Sequence, residues 1–276
     1  GIDRVVVPAG ACPPWSISTS IAPEVRDPAT GRLWTANNRV ISGAENARVG
    51  YIGRDNSARA RQIRDGLMAR ERFTERDILG IELDDRAIYL ERWWKLLRVV
   101  LAGAGSDPLL ARLEVASQKW DGRASADSIS YLLTRRYREA VERRATSMLL
   151  GAFPQAVANG AGELRLGQTE GWLWPLVTIK PAHLLTAGHG SWDELLAAAA
   201  RDVARDPANL RKDGTFRTWG DVNRASSICH PLARALPDMA KRYLCMPDVA
   251  LPGDDDMPRV QRPAFGASQR MAVTPG

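Results

Sequence analysis

The chain has few histidines and few lysines. Only His183, His189 and His230 occur among 276 residues, and lysine is confined to positions 95, 119, 180, 212 and 241. Each histidine reads as a loop or packing residue rather than a catalytic base; His189, between Gly188 and Gly190, suits an exposed turn. The three cysteines, Cys12, Cys229 and Cys245, form no C-x-x-C pair, which excludes structural zinc and thioredoxin-like chemistry. The nucleophile elbow G-x-S-x-G, the phosphate loop, H-E-x-x-H and G-x-G-x-x-G are all missing, as is any aromatic RNA-binding motif. No apolar run reaches the ~18–20 residues that span a bilayer. There is no internal repeat and no basic-then-apolar leader. The first residue is Gly1 rather than Met, and Gly276 follows soon after the strand-like run Arg270–Thr274, so both ends read as cuts.

What is present is ordinary globular material. Hydrophobic residues make up 45% and charged residues 25%, enough for a real core. The net charge is +6, carried almost wholly by arginine. A basic balance raises the prospect of nucleic acid as a partner. The arginines, however, are interspersed with acids, as in Arg70-Glu-Arg-Phe-Thr-Glu-Arg-Asp77, the pattern of a paired, solvated helix face rather than a phosphate track.

Three regions follow one another, and they read as one unit. Residues 1–54 are extended: Val5–Val7, Trp15–Ile21 and Leu33–Ala36 are short β-prone runs cut by Pro and Gly. Residues 55–207 are helical. Ile63 and Leu67 form one amphipathic pair, and Thr74 with Asp77 starts a helix through Leu83. Leu90, Trp93, Trp94, Leu97 and Leu101 keep helical spacing up to Gly103. The strongest helix is 126–150, with Ile129, Leu132, Leu133, Tyr137, Ala140, Val141, Met148 and Leu149 on one stripe. Ser125 or Asp127 is placed to cap it, and its other face carries Arg135, Arg136, Arg138, Glu139 and Glu142. Ser191-Trp-Asp-Glu194 opens a further helix, which Asp206-Pro207 stops. Residues 208–276 are irregular and then extended, with Phe216–Trp219 and Ala264–Thr274 as strand candidates. Strand-rich ends around a helical middle make an α+β chain.

Two acidic groups invite a functional reading. Asp84 and Asp85 are neighbours and diverge by ~100° on a helix, so they do not converge on one ligand. The triplet Asp254–Asp256 could hold calcium, but beside Gly253 it reads as a solvated turn. A more specific pattern lies upstream. In Gly31-Arg-Leu-Trp-Thr-Ala-Asn-Asn-Arg-Val40 an extended run ends in two amides, and 22 residues after Asn37 comes Arg59, opening the helical stretch Ala58-Arg-Ala-Arg-Gln-Ile-Arg64. This pair resembles the penicillin acylase family, in which an Asn ends a strand of the catalytic sandwich and an Arg follows at this distance. Further stretches match the family in the same order: Leu83–Ala87 with Leu90–Trp94, Gln118–Asp127, Arg217-Thr-Trp-Gly220, and Met257–Val260 with Phe265–Ser268. Each is weak alone, but the ordered set covers nearly the whole chain.

The resemblance implies an internal part of the β-subunit of an N-terminal-nucleophile hydrolase, an αββα sandwich whose strands flank the helical middle. Such enzymes are made as one precursor that cleaves itself into α- and β-subunits and exposes a Ser. That Ser attacks an amide carbonyl with its own α-amine, of pKa ~7.7–8.0, as base, so no histidine is needed. The nucleophile is expected outside this chain, which alone should be inactive. Asn37 would supply the oxyanion-hole donor, and Arg59 would orient the nucleophile or a polar substrate group. The substrate would be an N-acyl compound: a penicillin, which would place the protein in antibiotic metabolism, an acyl-homoserine lactone or an acyl peptide. The partners are the α-subunit and the rest of the β-subunit, with no nucleic acid and no membrane, in the periplasm. No cofactor is expected. Many members bind calcium through an Asp between the matching Asn and Arg, but here that register holds Arg48, and Glu45 or Asp55 would serve only with a shifted loop. Export would put Cys229 and Cys245, 16 residues apart, in an oxidising compartment, and a disulfide between them is expected. The competing reading is a non-catalytic helical binding module with a basic face.

Overall fold

The computed structural model describes residues 23–49, 56–103, 105–150, 168–185, 190–225, 228–235, 237, 243–267 and 269–274. Helices dominate. They are α1 (Gly43–Val49), α2 (Ala58–Met68), α3 (Glu75–Glu82), α4 (Glu91–Ala102), α5 (Pro108–Ser117), α6 (Ile129–Leu150), α7 (Thr169–Ile179), α8 (Trp192–Arg205) and the single turn α9 (Trp219–Val222). The described sheet is one antiparallel hairpin, β1 (Gln261–Arg262) with β2 (Phe265–Gly266).

Helix α6 is the longest described element, at 22 residues, and forms the centre of the core. Leu132, Leu133, Tyr137 and Val141 are wholly inaccessible to solvent, and α4, α5 and α8 pack around them. Each such side chain contributes ~1.5–3 kcal/mol of burial relative to exposure. The sequence period fixed the facing correctly, except that Ile129 and Leu149 are only half-buried. The helix starts later than expected. Ser128, rather than Ser125 or Asp127, caps it, its Oγ accepting from the Tyr131 N–H at 3.1 Å. Two other starts follow their local signals. Thr74 and Asp77 form the capping box of α3, and Ser191 Oγ accepts from the Glu194 N–H to open α8. Along α8 the stripe Trp192, Leu195, Leu196, Ala199 and Val203 is buried.

The strand expectations fare worse. Val5–Val7 and Trp15–Ile21 lie outside the described residues. Leu33–Ala36 forms no regular structure, ends in a bend and pairs with nothing described, and Leu33 is exposed; without a ladder partner a β-prone run is not a strand. Phe216 makes only an isolated bridge to Leu210, after which Asp221 accepts from the Thr218 N–H and turns the chain into α9. Among the described residues of Ala264–Thr274, only Phe265 and Gly266 form a strand pair. The four-layer sandwich therefore does not appear among the described residues.

Loops that were unremarkable separately meet at one hub behind α6. The Asp84–Ala87 turn, the 118–127 loop, α9 and the 250–260 segment exchange backbone hydrogen bonds. Ala124 N donates to Asp85 O, Gly220 N to Ala126 O, Gly253 N to Ala124 O and Arg259 N to Asp84 O. Trp219 Nε1 donates to Gly253 O at 2.9 Å, and the fully buried Asn223 amide donates to Leu251 O and Gln261 O. Close approach makes glycine obligatory here. A Cβ on Gly220 would lie 2.7 Å from Ala126 O, and one on Gly253, whose φ is +88°, 2.2 Å from Arg259 O. The hub fixes the loop that carries Asp254, Asp255 and Asp256.

Candidate active-site cleft

Asn37 sits in a bend with φ +58°, a left-handed conformation that asparagine tolerates better than most residues. This departs from the strand end expected for it. The neighbouring amide serves the bend itself: Asn38 Oδ1 accepts from the Ala36 N–H at 3.0 Å, and its Nδ2 donates to Arg39 O at 2.9 Å. Asn37 points elsewhere. Arg59, in the first turn of α2, donates from Nη2 to Asn37 Oδ1 at 3.1 Å. A guanidinium only donates, so this contact determines which end of the amide is oxygen and leaves the Nδ2 hydrogens for another acceptor.

Both side chains line one polar cleft of about 650 Å³, shared with Asn56, Arg138, Asp256 and Arg262. Two members of the acidic triplet, Asp255 and Asp256, line its floor, and the triplet is no solvated turn. Asp254 is buried, accepting from the Tyr131 hydroxyl at 2.8 Å and pairing with Arg135. Asp255 pairs with Arg262 on the hairpin. Asp256 accepts from Asn56 Nδ2 at 2.8 Å. Burial pushes the Asp256 carboxyl up to about 6, against the pull of Asn56, and burial also raises Asp255.

The polar face of α6 is likewise only partly solvated, with Arg143 exposed. Arg135 and Arg138 are largely covered. Arg135 also pairs with Glu139, while Arg138 donates to Glu170 at 2.8 Å, Glu142 at 3.0 Å and the Tyr89 hydroxyl at 3.0 Å. Opposite charges hold both guanidiniums firmly protonated despite their burial. The signal was present, since positions 135, 138, 139 and 142 share one face at i, i+3 and i+4 spacing. Their partners, however, lie up to 119 residues away in the sequence.

The remaining sequence candidates are placed as follows. His183 and His230 are exposed, and His230 Nδ1 accepts from the Leu232 N–H; His189 and Asp55 lie outside the described residues. Among the described residues no group of three His, Cys, Asp or Glu could hold a metal ion. No described helix is long and apolar enough to cross a membrane. Cys229 and Cys245 are joined by a disulfide with Cα atoms 3.9 Å apart. The backbone brings them together, since His230 N donates to Leu244 O and Met246 N to Ile228 O.

Chemically, the cleft offers an exposed side-chain amide donor beside a cation, above the carboxylates of Asp255 and Asp256. It can orient a polar group and donate to a developing negative oxygen. The family model for penicillin amidase matches residues 5–276. Over 227 residues the chain is 29% identical to the penicillin acylase 2 proenzyme of Pseudomonas sp. (strain SE83), covering 79% of this chain and 27% of that protein. The chain thus spans about a quarter of the length of the relative it matches. With the family model matching almost every residue, this chain belongs to the penicillin amidase family.

Proposed function

We propose that this chain is part of an amide hydrolase that releases a carboxylic acid from an N-acyl compound, with an N-terminal Ser nucleophile supplied from outside the chain. The observation that carries this reading is the Asn37–Arg59 contact on the wall of a polar cleft. In this reading Asn37 Nδ2 donates to the oxyanion as the amide carbonyl becomes tetrahedral, and the Ser α-amine takes and returns the proton. Arg59 holds the Asn37 amide in the donating orientation and meets a polar part of the substrate. The relative is named a proenzyme, which fits α- and β-subunits cut from one precursor. We assign the sandwich to the assembled subunits and the site of action to the periplasm. The acyl group, whether of a penicillin, an acyl-homoserine lactone or an acyl peptide, is selected by segments beyond these residues. Against the binding-module alternative, Arg92, Arg98, Arg135, Arg138 and Arg144 are tied to carboxylates and so are not presented to a nucleic acid.

The test is kinetic, on the full-length processed protein with a panel of N-acyl 4-nitroanilides. Asn37→Ala should lower kcat by ~10²–10³ with little change in KM, because the lost donor acts in the transition state. Arg59→Lys should not restore full activity, since an ammonium lacks the planar fork. Unchanged kcat in Asn37→Ala would overturn the assignment.

A further inference from the structure

The contact between Asn37 and Arg59 is the end of a longer chain of contacts. Arg59 is placed by the first turn of α2. That turn is fixed by Asn56, whose Oδ1 accepts from the Ala58 N–H at 2.9 Å. The other end of the same amide, Nδ2, is committed to Asp256 Oδ1 at 2.8 Å. With both ends of Asn56 engaged, its rotation is fixed, and the start of α2 is anchored to the cleft floor rather than left to fray. The floor itself is rigid, because Gly253 is locked into the hub and Asp254 and Asp255 are held by Arg135 and Arg262.

We infer that Asp256 is a positioning residue of the amide-hydrolysing site: through Asn56 it fixes the first turn of α2, and with it Arg59 and the amide of Asn37. The inference rests on Asn37 being the oxyanion donor. Asp256 touches no reacting atom in this scheme; it acts through Asn56. Its accepting role needs an oxygen at that position rather than a charge. The groups facing it are Asp254 and Asp255 on its own loop, Arg138 and Tyr131 on α6, and Tyr89 before α4. In that company an asparagine keeps the bond to Asn56 without the cost of a confined charge.

A double-mutant cycle on the full-length processed protein tests this, with kcat and KM measured on the acyl nitroanilide that wild type turns over fastest. Asp256→Ala should lower kcat about tenfold at nearly constant KM, whereas Asp256→Asn should stay within about twofold of wild type. In an Asn37→Ala background the same Asp256→Ala change should cost less than about twofold, because the group it positions is already gone. A general structural role would instead reduce kcat by the same factor in both backgrounds, and that result overturns the inference. If Asp256→Ala does not fold, Asn56→Ala removes the same bond and must show the same pattern; unchanged kcat there also overturns it. Wild-type kcat in Asn37→Ala alone would refute the oxyanion assignment, whereas a large loss in Asn37→Ala with none in Asp256→Ala refutes only the positioning role.

Discussion

At the scale of single residues, the cleft confines charge more tightly than surface pairing requires. The Asp256 carboxyl, pushed up to about 6, ionises reluctantly in the folded protein, against ~3.9 in an unfolded chain. Its contribution to stability is therefore whole below about pH 4 and is lost as pH rises through about 6. The loss is at most about 3 kcal/mol, less whatever water at the cleft mouth screens. Urea titrations of the full-length protein at several pH values should show Asp256→Asn gaining on wild type between pH 4 and 7, with a constant difference above that. A difference that shrinks as pH rises would mean the carboxyl is stabilised as an anion. Tyr137 gives a second residue-level expectation. Its hydroxyl is buried in the core without a hydrogen-bond partner among the described residues. Removing an unsatisfied buried hydroxyl costs nothing, so Tyr137→Phe should leave the melting temperature unchanged or raise stability by up to ~1 kcal/mol. A marked drop in melting temperature would reveal a partner for that oxygen.

At the scale of elements, the helices were legible because their signals are local. The Thr74 box, the Ser191 cap and the α6 stripe each need only residues within a few turns. The pairing of Asn37 with Arg59 was legible for a different reason, the spacing shared with a known family. What could not be read was burial decided by distant segments. Nothing near Asp254 in sequence announces Arg135, and nothing near Arg138 announces Glu170 on α7. The same holds for strands, since Leu33–Ala36 has the composition of one and lacks a described partner. Gly253 sits where these two kinds of information meet. Gly253→Ala should destabilise by ~2–4 kcal/mol, from the left-handed backbone and the collision with Arg259 together. Thermal unfolding of the purified variant reads this directly, and a wild-type melting curve would show that the loop relaxes freely.

At the scale of the whole molecule, the proposed mechanism gives this chain one wall of the catalytic site and takes the nucleophile from outside it. The 276-residue chain by itself should hydrolyse none of the acyl nitroanilides, and mixing it with free serine should not help, because the attacking amine and hydroxyl must arrive fixed to the scaffold. Turnover by the purified chain, surviving a control with mock-purified lysate, would show that the nucleophile lies within it.

The bond between Asn56 and Asp256 spans 200 positions. A ribosome adds roughly 5–20 residues per second, so about 10–40 seconds pass between synthesis of the two partners. During that interval α2 can coil, but the far side of the cleft does not yet exist. Loop closure over such a distance is slow and comes after local structure. The cleft should therefore take shape after the helices that line it, and a polypeptide arrested before residue 256 would carry well-formed helices around an unassembled cleft.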